Sequence, residues 1–278
     1  ELVGLIPLKA MIDAGKYFLK KQQRSVGVSQ DELIKIAVKS LGLDDLKPFN
    51  PREKIIEFVL EDKEVVKPKK LIDMSCTAFA DETASESPAP GGGSISAYMG
   101  ALGASLATMV ANLSSHKAGW DARWEEFSDW AEKGQLIKDD LMALVDEDTN
   151  AFNKIMNAFG LPKNSEQEKA IRDAAIQEAT KYATEVPFKT IEKALSSFEI
   201  IKSMVESGNP NSVTDAGVGA LCARSAVMGA FLNVKINASG LKDKKFAEEI
   251  IGKAEAMQQQ ALALEEEILK AVNDKIKL

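Results

Sequence analysis

Hydrophobic positions along this chain of 278 residues follow two regimes. Over residues 2–60 short apolar runs alternate with turn residues, the texture of α/β material. Leu2-Val3-Gly4-Leu5-Ile6 reads as a short strand, and Pro7, tolerated in a first helical turn, opens a helix to about Lys21. Ser29 and Glu32 have capping-box spacing and start a second helix, which Gly42 ends. Beyond Pro48 and Pro51, Arg52 to Leu60 predicts a third. The stretch 61–70, EDKEVVKPKK, is charged and reads as a linker. From about residue 71 the apolar positions recur at helical spacing almost to the end.

Between Ser87 and His116 no side chain is formally charged. Ile95, Tyr98, Met99, Leu102, Leu106, Met109, Val110 and Leu113 recur at helical spacing, and the opposite side is small, from Ala97 and Gly100 to Ala111. The segment is rich in Gly, Ser and Ala and lacks a basic flank, so it predicts a central bundle helix rather than a membrane span. A second such helix runs from about Ala216 to Asn237, with Arg224 its only charge before Lys235. Both are expected to be buried on all sides. Segments over about 121–159, 166–206 and 243–276 are amphipathic, the second kinked at Val186-Pro187. The expected fold is mainly all-α: a helical bundle with two nearly uncharged central helices and an amphipathic outer layer, preceded by a short α/β tail. Its divisions are a tail over 1–60, a linker over 61–70 and a helical domain over 71–278.

Charge and cysteine usage narrow the function classes. With 35 basic against 42 acidic residues the net charge is −7, which argues against a general nucleic-acid binder. Cys76 and Cys222 are too few for a disulfide framework, so the expected location is the cytoplasm. One histidine, His116, and two scattered cysteines provide no ligand cluster, so no metal is expected. The chain opens at Glu1, without an initiator Met, inside an apolar run, and reads as cut from something longer.

Candidate chemistry lies on the helical segments. On a helical wheel the apolar stripe of Ile137, Leu141, Leu144, Phe152 and Ile155 centres near about 20°, and Asp148 falls at about 20°. Asp146 falls at about 180°, on the solvent side, and Glu147 at about 280°, on the margin. Burying a carboxylate costs several kcal/mol unless it is paired, so Asp148 is either an ion-paired or capping group or an acid/base whose pKa desolvation raises. Gly91-Gly92-Gly93-Ser94 precedes a long helix, where unblocked N–H groups could receive a carboxylate or carbonyl oxygen, or where Ser94 simply caps the helix. Asn233 and Asn237 share a face of an apolar helix and could read an amide-like ligand edge or bridge neighbouring backbones. Asp215 stands at a helix start, as a cap or a ligand contact.

These stretches resemble the bifunctional formiminotransferase-cyclodeaminases. Ser87 to Ser94 is similar to that family's S-x-A-P-G-G-G-S entry, and Val145-Asp146-Glu147-Asp148 with Ala151-Phe152 to its V-D-x-D-x-x-A-F motif. Leu161-Pro162-Lys163-Asn164, Val186-Pro187, Gly208-Asn209 and Asn233-Val234-Lys235-Ile236-Asn237 match in the same order. After the central helix many members carry a Gly and a basic pair, where this chain has Ser115-His116-Lys117-Ala118-Gly119. The resemblance covers 71–278 as a cyclodeaminase domain, and 1–60 as only the C-terminal tail of a formiminotransferase domain, so transferase activity is expected to be absent. It implies conversion of 5-formiminotetrahydrofolate to 5,10-methenyltetrahydrofolate and ammonia in histidine degradation, with Asp148 as the catalytic acid/base. The folate is substrate, and no bound cofactor is implied. The resemblance further implies a polyglutamylated folate, with Lys163 near its tail, and a homo-oligomer built through the small-residue face of helix 94–113. Single-domain methenyltetrahydrofolate cyclohydrolases share these motifs and are the alternative. A non-catalytic helical scaffold is a third.

Overall fold

The computed structural model describes residues 2–62 and 70–276. Residues 63–69 of the expected linker lie outside the described residues. Two compact units emerge, one formed by Glu1–Lys69 with Thr108–Gln135, the other by Lys70–Ala107 with Leu136–Leu278. The divisions fall inside two long helices rather than at the charged segment alone.

In the first unit, α1 (Leu8–Lys21) and α2 (Gln30–Ser40) pack on one another. The Ser29 hydroxyl accepts the Glu32 N–H at 3.3 Å and caps α2, and Gly42 follows with φ +64°. The expected strand at 2–6 is reduced to one parallel bridge between Ile6 and Ile55. That bridge also divides the expected third helix into α3 (Pro51–Lys54) and α4 (Ile56–Asp62). Ile55 is extended, because its neighbours' backbone groups serve Ile6: the Ile6 N–H donates to Lys54 O at 2.9 Å and the Ile56 N–H to Ile6 O at 3.0 Å. Ile55 is fully buried with Met11, Ile34 and Ala37.

The second unit is built on α5 (Cys76–Thr83), α8 (Glu166–Ser207), α9 (Val213–Ser239), α10 (Lys244–Lys275) and the parts of α6 (Gly92–Ser115) and α7 (Trp124–Phe159) within it. Its centre is the antiparallel pair α6 and α9. Gly92 lies beside Asn233, Gly100 beside Ala226 and Gly103 beside Gly219. A Cβ on Gly103 would sit 2.9 Å from the Gly219 carbonyl oxygen and 3.1 Å from the Ala223 nitrogen, so only glycine admits this approach. Ala97, Ala101, Ala104, Ala220, Ala223 and Ala226 fill the rest of the seam and are buried.

The small-residue face of α6 is therefore covered within the same chain, by α9 along Gly92, Gly100 and Gly103 and by α7 where Leu141 meets Gly100 and Gly134 meets Thr108, and is not free there for a second copy. Nor are the two helices buried all round, as their lack of charge suggested. Leu102 on α6 is 43% exposed, and on α9 Val218, Leu221, Leu232 and Ile236 are exposed too. Uncharged residues identify a face that avoids water, but not what covers it.

Helix α8 starts with a capping box between Ser165 and Glu168 and carries Pro187 inside it. Proline has no N–H, so the carbonyl of Ala183, four residues earlier, loses its helical donor. The Asn237 side-chain nitrogen on α9 donates to that carbonyl at 2.6 Å. An unpaired buried carbonyl costs about 1–3 kcal/mol. Asn237→Ala is accordingly expected to lower stability by about 1–2 kcal/mol, and by much less in a Pro187→Ala background, where residue 187 regains its N–H. Chemical denaturation of the two single variants and the double variant measures that coupling; additive effects would contradict it.

Candidate active site

The helical wheel aims one carboxylate of Asp146-Glu147-Asp148 inward, and the structure gives all three different surroundings. Asp148 reaches the start of α6, where its Oδ2 accepts the Ser94 N–H at 2.9 Å and the Ser94 hydroxyl at 3.0 Å. A Cβ on Gly93 would lie 2.5 Å from the Asp148 Cγ and 2.7 Å from its Oδ2, so the carboxylate occupies space that only glycine leaves. Burial pushes the Asp148 carboxyl above the usual carboxylate range, and the Ser94 hydroxyl and N–H pull the other way. Glu147 points to another partner: it accepts the Tyr182 hydroxyl, which that hydrogen bond, burial and the nearby charge push up to about 12.

Asp146 is the correction. It is half-buried rather than solvated: Oδ1 accepts the Leu71 N–H at 2.6 Å, and Oδ2 is buried with no hydrogen-bond partner. A wheel describes one helix alone and cannot know that the segment at Leu71 crosses over its outer side.

Asp148 stands in the wall of a cavity of about 150 Å³. Gly91, Gly92 and Gly93 form one side, Asn233 and Asn237 another, and Phe152 and Ile155 supply apolar surface. The glycine run thus borders the cavity as expected, but the N–H of Ser94 is taken by the protein's own carboxylate rather than left for a ligand. Asn233 donates its side-chain nitrogen to Gly229 O at 2.9 Å. Thr149, which sequence reasoning passed over, also lines the cavity, and its buried hydroxyl oxygen has no hydrogen-bond partner. No sequence signal separates it from any other helical threonine.

Two expected site residues lie elsewhere. Lys163 is exposed in the turn between α7 and α8 and does not line the cavity. Asp215 occupies the first turn of α9, about 27 Å along that helix from Asn233 at 1.5 Å per residue. Among the described residues, no three His, Cys, Asp or Glu side chains gather into a metal-binding group. The chemistry on offer in the cavity is a half-buried carboxylate of raised proton affinity, two amides and a hydroxyl, facing an apolar wall. That set suits proton transfer on a neutral or cationic organic ligand.

Comparison with known proteins gives the same direction. The family model described as Formiminotransferase-cyclodeaminase matches residues 75–256, and that of the Formiminotransferase domain matches residues 1–61. Formimidoyltransferase-cyclodeaminase of Gallus gallus is 36% identical over 249 residues, 90% of this chain and 46% of that protein. The chain spans about half the length of the curated relatives of that name. Methenyltetrahydrofolate cyclohydrolase of Methylorubrum extorquens is 39% identical over 198 residues, 71% of this chain and 95% of that protein. A crystal structure of formiminotetrahydrofolate cyclodeaminase from Thermotoga maritima superposes with a TM-score of 0.65 at 27% identity, covering 73% of this chain and 98% of that one. With both its long helical region and its N-terminal segment matched, the chain belongs to the formiminotransferase-cyclodeaminase family.

Proposed function

We propose that this chain is a formiminotetrahydrofolate cyclodeaminase, converting 5-formiminotetrahydrofolate to 5,10-methenyltetrahydrofolate and ammonia. The observation that carries the reading is Asp148, half-buried in the cavity wall and held by Ser94, with its proton affinity raised. Ring closure needs one group to accept a proton and return it. With the formimino group protonated as an amidinium, nitrogen 10 attacks its carbon, the C=N π pair moves onto the former imine nitrogen as an amino group, and the nitrogen 10 proton passes to Asp148. The amino group then takes that proton and leaves as ammonia, while the nitrogen 5 lone pair closes the cationic methenyl bridge. A carboxyl of ordinary acidity holds a proton too weakly for the second half, so the upward shift serves the reaction.

The Methylorubrum relative supports a second reading, cyclohydrolase, because this chain covers nearly all of it at 39% identity. The same carboxylate would then activate water against the methenyl carbon. Incubation with 5-formiminotetrahydrofolate separates the two: near-UV absorbance of the methenyl product rising with stoichiometric ammonia supports the deaminase. Product hydrolysis without deamination would overturn it.

The proposal extends to a cytoplasmic lyase of histidine degradation, without a bound cofactor, that works as a homo-oligomer. The exposed apolar residues of α6 and α9, rather than the small-residue seam, are the surface suited to the last of these.

Asp148→Asn is expected to lower ammonia release by about 100 to 10,000-fold, the span usual for deleting a general acid/base. Asp139→Asn, at a side chain 65% exposed, serves as the control. Because native Asp148 keeps its proton to higher pH than the unfolded chain, stability falls as pH rises through that window, and the neutral amide escapes the penalty. Folded Asp148→Asn is thus expected to melt no lower than the parent at neutral pH. Full turnover by that variant would sink the mechanism.

Gly93→Ala drives a methyl group into the Asp148 carboxylate and is expected to cost at least tenfold in turnover with a lowered melting temperature, read in the same two assays.

Lys163 is proposed to meet the tail of a polyglutamylated folate as an exposed point charge. The affinity advantage of the long-tailed ligand over the monoglutamate should then shrink with salt, which screens such pairs over about 10 Å at 0.1 M. Equal salt response for both ligands would make Lys163 a bystander.

A further inference from the structure

The two asparagines of the cavity are constrained in a way their sequence does not reveal. An asparagine side chain offers two donors and an acceptor, and free rotation lets it present either end to a ligand. Here a backbone carbonyl meets each amide: Gly229 O accepts from Asn233 Nδ2 at 2.9 Å, and Ala183 O accepts from Asn237 Nδ2 at 2.6 Å. A carbonyl only accepts, so the nitrogen must face it in both cases. What remains of each amide is its oxygen and the second hydrogen of its nitrogen, and neither oxygen receives a hydrogen bond from a described residue. Asn233 and Asn237 are one helical turn apart, which places their Cβ atoms about 5–6 Å from each other on the cavity side of α9. This side of the cavity therefore carries two amides whose nitrogens the backbone holds and whose oxygens are free to accept, complementary to a ligand edge made of N–H donors.

What holds the second amide in that sense is Pro187. In an uninterrupted helix the Ala183 carbonyl would belong to the N–H of residue 187 and would have no need of Asn237. We propose that Pro187 is a positioning residue for ligand recognition: by vacating the Ala183 carbonyl it recruits the Asn237 nitrogen, and so presents the Asn237 oxygen, beside that of Asn233, to a heterocycle edge of adjacent N–H donors. This rests on the folate reading, in which that edge is the 2-amino group and ring N–H of the pterin. Pro187 touches no ligand itself, and acts through the orientation of Asn237.

The test is a ratio of binding affinities in the full chain, for 5-formyltetrahydrofolate and for its analogue with a methyl group in place of the 2-amino group. The parent protein should prefer the amino ligand by at least about fivefold, the cost of leaving a buried acceptor unpaired. In Pro187→Ala the Ala183 carbonyl is satisfied within the helix, the Asn237 amide is released, and the ratio should fall toward one. KM for the formimino substrate should rise in that variant with kcat nearly unchanged. A merely structural proline would weaken both ligands alike and leave the ratio as it was, which would overturn the proposal. Asn237→Ala, read as the same ratio, covers the case in which Pro187→Ala does not fold, and an unchanged ratio there overturns it equally. If the parent binds both ligands with equal affinity, the proposal fails and the folate reading stands. If it binds neither, the folate reading fails and takes the proposal with it.

Discussion

The close approach of α6 and α9 at Gly103 and Gly219 is the constraint on which the site depends. Two helices whose backbones nearly touch have little freedom to slide, because each turn of small residues fits one turn of the other. That register carries the start of α6 to Asn233, where Gly92 packs beside its amide. From there the next residues, Gly93 and Ser94, meet Asp148 on α7. The cavity is thus the place where the close contact of α6 and α9 opens out at the start of α6.

At that end two physical effects act on one carboxylate. Removal from water favours its protonated form, while the Ser94 N–H, the Ser94 hydroxyl and the positive end of a long helix favour the charge. Burial is the larger influence, so the balance lies above the ordinary carboxylate range without severing the hydrogen bonds. A carboxyl so balanced can change protonation while staying in place, since Ser94 has a hydroxyl that can either donate or accept. Positional stability through a proton cycle is what the proposed reaction asks of a single group.

Much of this was legible in the residues. The long helices stand within a few positions of where periodicity puts them, and the angle of Asp148 on its own helix is enough to aim it inward. The small-residue side of α6 announced a close contact, although not that α9 of the same chain would make it. What was hidden was anything set by a second element. Asp146 lies on the outer side of its own helix yet is covered by Leu71; Asp215 shares a helix with Asn233 yet is remote from it. The strand expected at residues 2–6 needed a partner strand, and a single bridge to Ile55 is all the chain provides among the described residues. The charge-free character of α9 predicts burial on all sides, whereas Leu232 and Ile236 stand largely in the open.

A proline inside a helix is normally read as a defect to be tolerated. In α8 the defect is an acceptor, and Asn237 is its complement. This dependence has a direction in time. An asparagine at position 237 can precede the proline, since in an intact helix it need only face the cavity. A proline at 187 arriving first would bury an orphaned carbonyl. Acquired stepwise, the pair is therefore less costly with the asparagine first, and on the way back, losing the asparagine while the proline remains costs about 1–3 kcal/mol for the orphaned carbonyl.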